Sequence, residues 1–279
     1  MPPKQNNKLS KSQKNLIRWK AALDIATDMV LQASNAGAAT AAAPVSVATV
    51  TSALADLSTI GSDDEDSGRQ PMARATTTNI NKGSSTTTLY SPQQCEEGIW
   101  FISVDIEAYE SKQDLILEIG WSICDPSSGK DTFIDNHYAI SDYRHLVNKK
   151  FVDSRPDMFG FGETVWANLQ DAIAAFQQDL EKAASRNKDE RFVLIAHDMA
   201  SDMKYLSGMG VVFPKGMVQF DTQEMNAARV GNGACKMGLG SLLDEVNIEN
   251  YSLHNAGNDA HYTMQLFLWL ARNNGSLMV

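Results

Sequence analysis

Two carboxylates stand two residues apart, Asp105 and Glu107, at the close of the apolar run Ile99-Trp100-Phe101-Ile102-Ser103-Val104-Asp105-Ile106. The β-branched and aromatic character of that run predicts a buried central strand. Side chains at i and i+2 of a strand share one sheet face, so both acids project to the same side. Side by side they repel, and burial raises the cost unless cations pair with them. Acids at strand ends are also common on solvated surfaces, so the pair alone decides nothing. A third acid, Asp202, follows the strand-like residues 192–196 and the dipeptide His197-Asp198. It is expected in the first turn of a helix, where the macrodipole alone would favour an acid. A fourth, Asp259, falls in His254-Asn255-Ala256-Gly257-Asn258-Asp259-Ala260, just before the apolar positions Tyr262, Leu266, Phe267, Trp269 and Leu270. His254, five positions back, cannot share a helical face with Asp259 and has to reach it from a loop. A capping Asp and a surface His account for these two residues equally well when each is taken alone.

Together they point elsewhere. In α/β sheets, groups at the carboxyl ends of neighbouring strands, or on the helices that follow, converge on one crevice. Asp105, Glu107, Asp202 and Asp259 are hard oxygen ligands of the kind that suit Mg2+ or Mn2+. Two such ions about 4 Å apart activate a water and stabilise the leaving oxygen in phosphodiester cleavage. A histidine with an ordinary pKa of about 6.5, here His254, takes the water's proton near neutral pH.

The elements that must position these residues are legible in outline. Strands are expected over residues 99–106, 115–123, 131–140, 192–196 and 217–221. Asp125-Pro126-Ser127-Ser128-Gly129 supplies the turn between the second and third. Val165, Leu169, Ile173, Phe176 and Leu180 keep the spacing of one helical face, predicting a helix over residues 163–184. Further helices are expected near 199–208, 223–229, 239–246 and 257–272. Three strands in meander followed by strand–helix alternation give an α/β architecture, a mixed sheet of about five strands flanked by helices.

The chain has 279 residues and a formal charge of −10, but its two parts differ. Residues 1–95 hold only two aromatics, Trp19 and Tyr90, with 9 basic and 7 acidic side chains. So little apolar surface predicts a disordered, low-complexity tail, with a short helix at about 12–32 where Leu16, Trp19, Leu23, Ala26 and Val30 recur at alternating spacings. That stripe is either a transient helix or a docking motif for a protein partner. Residues 96–279 form the folded domain, with 15 basic against 27 acidic side chains. A domain of that sign does not bind nucleic acid through its net field, so bound cations have to supply positive charge locally. Three scattered cysteines exclude a disulfide scaffold or a Cys-rich zinc site. No run of 18 apolar residues is present, so no membrane span is expected, and a cytoplasmic or nuclear location follows. The basic N-terminus also fits a mitochondrial presequence, although such segments are usually Arg-rich.

Val104-Asp105-Ile106-Glu107, His197-(four residues)-Asp202 and His254-Asn255-Ala256-Gly257-Asn258-Asp259-Ala260, with Glu118-Ile119-Gly120 between the first two, resemble the motifs of the DEDDh 3′–5′ exonucleases of the ribonuclease H-like superfamily. The last string is most similar to a fungal branch that includes Gfd2-like proteins and an Argonaute-interacting exonuclease. The resemblance covers about residues 98–272. It implies a ribonuclease H-like sheet, Asp105, Glu107, Asp202 and Asp259 as ligands of two Mg2+ or Mn2+ ions, and His254 as general base. It also implies release of nucleoside 5′-monophosphates from the 3′ end of single-stranded nucleic acid, with RNA favoured. Two departures stand out: Asp198 occupies a position that is commonly Asn, and Ala108-Tyr109 replaces a frequent Thr pair. Tyr109 and His197 are the expected substrate contacts, Tyr109 by stacking on a terminal base, although such a Tyr also serves as packing. Phe159 and Phe161 sit in a loop that either lines a substrate groove or caps the core. The alternative function is a catalytically silent nuclease-fold module that binds RNA or a protein partner.

Overall fold

A computed structural model describes residues 9–36, 99–125, 131–186 and 190–274. Six strands form one mixed sheet: β1 (Phe101–Tyr109), β2 (Lys112–Cys124), β3 (Phe133–Ile140), β4 (Thr164–Ala167), β5 (Arg191–Ala196) and β6 (Gly216–Asp221). Their order is β4-β3-β2-β1-β5-β6. β2 runs antiparallel to β1 and β3, whereas β5 is parallel to both β1 and β6. The expected mixed α/β sheet flanked by helices is therefore present, with one strand more than expected.

The extra strand is β4, which pairs in parallel with β3 at the sheet edge. Its residues fell inside the predicted helix over 163–184 because Val165 fits the helical stripe. The helix, α2 (Leu169–Ser185), starts later, where the Asn168 side chain accepts from the amide of Asp171 and closes the first turn. Upstream of that cap, Thr164, Val165 and Trp166 are β-branched or aromatic and complete the ladder instead.

The remaining helices are α3 (Met199–Gly208), α4 (Thr222–Arg229), α5 (Leu239–Glu245) and α6 (Ala256–Arg272). One sheet face carries Ile102, Val104, Ile119 and Trp121 against Phe176 and Leu180 of α2 and Leu206 of α3. The other face carries Phe101, edge-to-face with Phe267 of α6, and Ser103, whose hydroxyl donates to the Ala260 carbonyl at 2.5 Å. By strand alternation Asp105 and Glu107 belong to this second face, beneath the start of α6.

The short helix expected near 12–32 is α1 (Lys11–Ala36), and it is not a free element. A capping box starts it: the Ser10 hydroxyl accepts from the Gln13 amide, and the Gln13 side chain accepts from the Ser10 amide. Trp19, Leu23, Ala26 and Val30 are buried against α4 and α6. Asn274 donates to Asp24 and Thr27, and Arg18 pairs with Glu224 at 3.4 Å. The expectation of a disordered tail thus needs correcting for residues 11–36: the apolar stripe that signalled a helix also supplies the surface that docks it. The rest of that expectation, residues 1–8 and 37–95, lies outside the described residues.

Candidate active site

Asp105 and Glu107 lie at the end of β1, both half-buried. Beyond Ser103, β1 no longer pairs with β5, which leaves strand amides free on that side. One of these, on Ile106, donates to the carboxylate of Asp202 in the first turn of α3, so the third acid is tied directly to the strand bearing the first two. The N-terminus of α3 is fixed from its other side by Asp221 at the end of β6. This carboxylate accepts from the amides of Asp198 and Met199 and also caps α4 through the Gln223 amide.

The string from His254 to Ala260 is explained residue by residue. Asn255 caps α6, accepting from the Asn258 amide, while its own amide group donates to the Arg155 carbonyl at 2.9 Å. Asn258 accepts from the Gly160 amide and donates to the carbonyls of Met158 and Ser252. The two asparagines thereby fasten residues 155–160 to the start of α6. Ala256 and Gly257 have to be small because the helix end lies directly on β2 and β3. A Cβ on Gly257 would stand 2.7 Å from that of His137. His254 itself has φ 67°, a left-handed conformation that costs a non-glycine residue about 1–2 kcal/mol. The turn aims its backbone amide at Asp259 Oδ2, 3.0 Å away. As the spacing required, His254 approaches from the loop and not from the helix.

Donor atoms of Glu107, His254 and Asp259 all lie within 4.8 Å of one another. Asp259 Oδ1 is buried without a hydrogen-bond partner. An orphaned carboxylate oxygen next to other carboxylates is costly in isolation, and a cation relieves both problems. The donor set of hard oxygens plus one imidazole therefore fits a divalent metal.

Electrostatics agree. Burial raises the Asp105 carboxyl well above its ordinary range, and Asp259, Asp202, Glu107 and Glu118 push it further. Burial lifts Glu107 to about 8, with Asp259, Glu118 and Asp202 adding to it. Asp259 rises to about 7, chiefly through burial, although the His254 amide and Arg155 pull it down. Asp202 is raised by burial and then by Asp198 and Asp221. Burial and the Arg155 guanidinium both lower His254, which keeps the exposed imidazole neutral and able to accept a proton.

Two expected substrate contacts fare differently. His197 uses both ring nitrogens inside the protein, Nδ1 with the Thr222 hydroxyl at 2.8 Å and Nε2 with the Met237 carbonyl at 2.9 Å. It braces the α3 entry against α4 and has no nitrogen left for a substrate. Tyr109 lies half-buried at the β1–β2 turn, opposite Lys112. Asp198, the departure noted above, adopts φ 76°, a left-handed position that Asp tolerates as Asn does, and accepts from the Ser201 hydroxyl. Phe161 stacks on His261 and Phe159 packs by His137, so this pair covers the start of α6.

Glu118 and His137 were not expected near the site. Glu118 faces Glu107 directly across β1 and β2. It is buried, 2.9 Å from His137 Nε2, and accepts from the Ala256 amide. The Thr164 hydroxyl donates to the Pro156 carbonyl, so its oxygen accepts a hydrogen bond from His137 Nδ1–H. A buried His–Glu pair thus lies directly behind the acids. Glu118 was visible in sequence only as part of Glu-Ile-Gly, and its meeting with His137 depends on strand register.

Residues 100–270 match the family described as DEDDh, DNA polymerase III subunit epsilon-like, C-terminal domain. The chain is 31% identical over 171 residues to the uncharacterized nucleolar protein C2C4.08 of Schizosaccharomyces pombe, covering 59% of this chain and 66% of that one. It is 28% identical over 197 residues to Good for full DBP5 activity protein 2 of Saccharomyces cerevisiae, covering 59% and 34%. The uncharacterized yeast protein YDR514C is also 28% identical, over 62% of this chain and 41% of its own length. The chain thus spans between about a third and two thirds of the length of these relatives. A solved structure of exonuclease I aligns over 63% of this chain and 44% of its own, with 13% identity and a TM-score of 0.39. On the family match, which spans more than half of its length, the chain belongs to the DEDDh exonuclease-like family of epsilon-type domains.

Proposed function

We propose that the protein is a metal-dependent 3′–5′ exonuclease that hydrolyses single-stranded nucleic acid and releases nucleoside 5′-monophosphates. The observation that carries this reading is the gathering of Glu107, His254 and Asp259 donor atoms within 4.8 Å around an orphaned carboxylate oxygen. Asp105, Glu107, Asp202 and Asp259 are the proposed ligands of two Mg2+ or Mn2+ ions. Such ions, when bound, lower the pKa of a water and neutralise charge on the departing oxygen.

The chain's own residues do the rest. His254, neutral and exposed, accepts a proton from the attacking water as its oxygen bonds to phosphorus. The P–O3′ bond breaks, and the 3′-oxygen of the shortened strand leaves, taking a proton from solvent. Arg155, held by the Asn255 contact to its carbonyl, places positive charge beside His254 and Asp259, where a phosphate would arrive. Tyr109 remains the proposed contact for a terminal base. RNA is favoured over DNA on the likeness to the fungal branch alone. The nucleolar description of the fission-yeast relative supports a nuclear location. Among the described residues no helix is long and apolar enough to cross a membrane. A protein partner for the N-terminal region would meet the outer side of α1, where Ile17 and Leu31 are exposed.

A 5′-labelled single strand incubated with Mn2+ tests the proposal. The expected result is a ladder shortening from the 3′ end, abolished in Asp105→Ala and in His254→Ala. Wild type as inert as both variants, yet still retaining the strand, would favour the silent binding module instead.

A further inference from the structure

A cavity of about 250 Å³ opens at the β2–β3–β4 edge, lined by Tyr143, Arg144, Val147, Pro156, Asp157 and Trp166, among others. Glu118, the cross-strand partner of Glu107, also lines it. The register makes this concrete: Glu107, Glu118, Ala139 and Trp166 stand directly opposite one another across four successive strands, on one sheet face. At roughly 4.8 Å per strand, Trp166 lies about 14 Å from Glu107, on the side away from Asp202 and α3.

The lining selects its occupant. The Arg144 guanidinium lies 4.3 Å from the centroid of the Trp166 ring and has no carboxylate partner among the described residues. A guanidinium over an indole pairs a cation with a π face, and both groups are planar surfaces on which a base stacks. Asp157, at the rim, is an acceptor that disfavours a phosphate but suits the amino groups of a nucleobase. The volume falls below that of a site for a drug-sized ligand, about 300–1,000 Å³, and suits one planar heterocycle.

We propose that this cavity is a nucleobase subsite for a nucleotide upstream of the 3′ end, with Arg144 and Trp166 as the stacking platform. The proposal rests on the exonuclease reading for the identity of the strand. Single strands long enough to span acids and cavity then bind through both, whereas a mononucleotide ester engages only the acids.

The test uses the full chain, with Ca2+ in place of Mg2+, and follows fluorescence anisotropy of a labelled single strand of about 12 nucleotides. Stacking of this kind predicts that Arg144→Gln weakens binding by about five- to fifty-fold. Arg144→Lys, which keeps the charge but loses the plane, weakens it similarly. Trp166→Leu, checked for an unchanged melting temperature, behaves in the same way. With Mn2+, hydrolysis of a p-nitrophenyl ester of a nucleoside 5′-monophosphate is unchanged in all three. Affinity unchanged in Arg144→Gln, or fully restored by Arg144→Lys, overturns the subsite, as does a wild type that does not bind the strand. Arg144-dependent binding by a wild type that hydrolyses nothing upholds the subsite while the exonuclease reading fails.

Discussion

Gly120 and Ala256 meet so closely that a Cβ on Gly120 would stand 2.1 Å from the carbonyl carbon and oxygen of Ala256. Gly120 is the cross-strand partner of Asp105, so the bare backbone of β2 lets the start of α6 lie beside the first acid. Any side chain there lifts the helix end and carries His254 and Asp259 away with it. Gly120→Ala is therefore expected to cost about 1–3 kcal/mol of stability. Its loss of Mn2+ affinity should exceed what the unfolded fraction explains. Chemical denaturation and metal titration on the same sample check both.

Mutual repulsion gives a prediction of opposite sign. Asp105 is surrounded by Asp259, Asp202, Glu107 and Glu118. Without metal, Asp105→Asn relieves part of that repulsion and is expected to raise the melting temperature by about 2–4 °C, as about 1 kcal/mol does for a domain of this size. The same variant is expected to lose the proposed nuclease activity. Thermal scans in EDTA with and without added Mn2+ are decisive, because the metal should stabilise wild type far more than the variant.

The raised carboxyls fix the pH dependence. Glu107 at about 8 and Asp259 at about 7 keep protons in the folded chain that they release when unfolded. Where the native state binds more protons, stability falls as pH rises. The contribution of these two groups is thus fully present below the ordinary carboxylate range and is lost progressively up to about pH 8. Melting temperatures in EDTA should be higher near pH 6 than near pH 8.5, with divalent metal reversing the difference at the higher pH.

Arg155 should act through His254. Removing its charge in Arg155→Ala lets the imidazole pKa rise, so neutral base appears only at higher pH. The acidic limb of the pH–rate profile is expected to move to higher pH, with a smaller change at its plateau. A uniform loss at all pH values would mean that Arg155 acts only on binding.

What was legible in the sequence follows the range of the forces involved. The acids and His254 stood out because local runs place them at strand and helix ends. The α6 entry was readable because its cap and small residues are contiguous. β4 was not, since four residues at a sheet edge cannot outweigh a helical stripe until Asn168 is seen to cap α2. The partners of His197 were hidden for the same reason: Thr222 and Met237 are 25 and 40 residues away. The buried Glu118–His137 pair needs two strand registers to be known. For α1, periodicity gave the helix but not the α4 and α6 surfaces that bury it. Leu23→Ala is accordingly expected to destabilise the whole domain by about 2–5 kcal/mol, whereas a loose tail would leave its unfolding midpoint unchanged.

The acids of β1, α3 and α6 are proposed to act as one metal centre. Titration calorimetry with Mn2+ at neutral pH addresses this directly. Wild type should bind two ions with release of protons, and Asp105→Asn and Asp259→Asn should each lose at least one of them. No binding heat in wild type, or isotherms unchanged in both variants, would contradict the account.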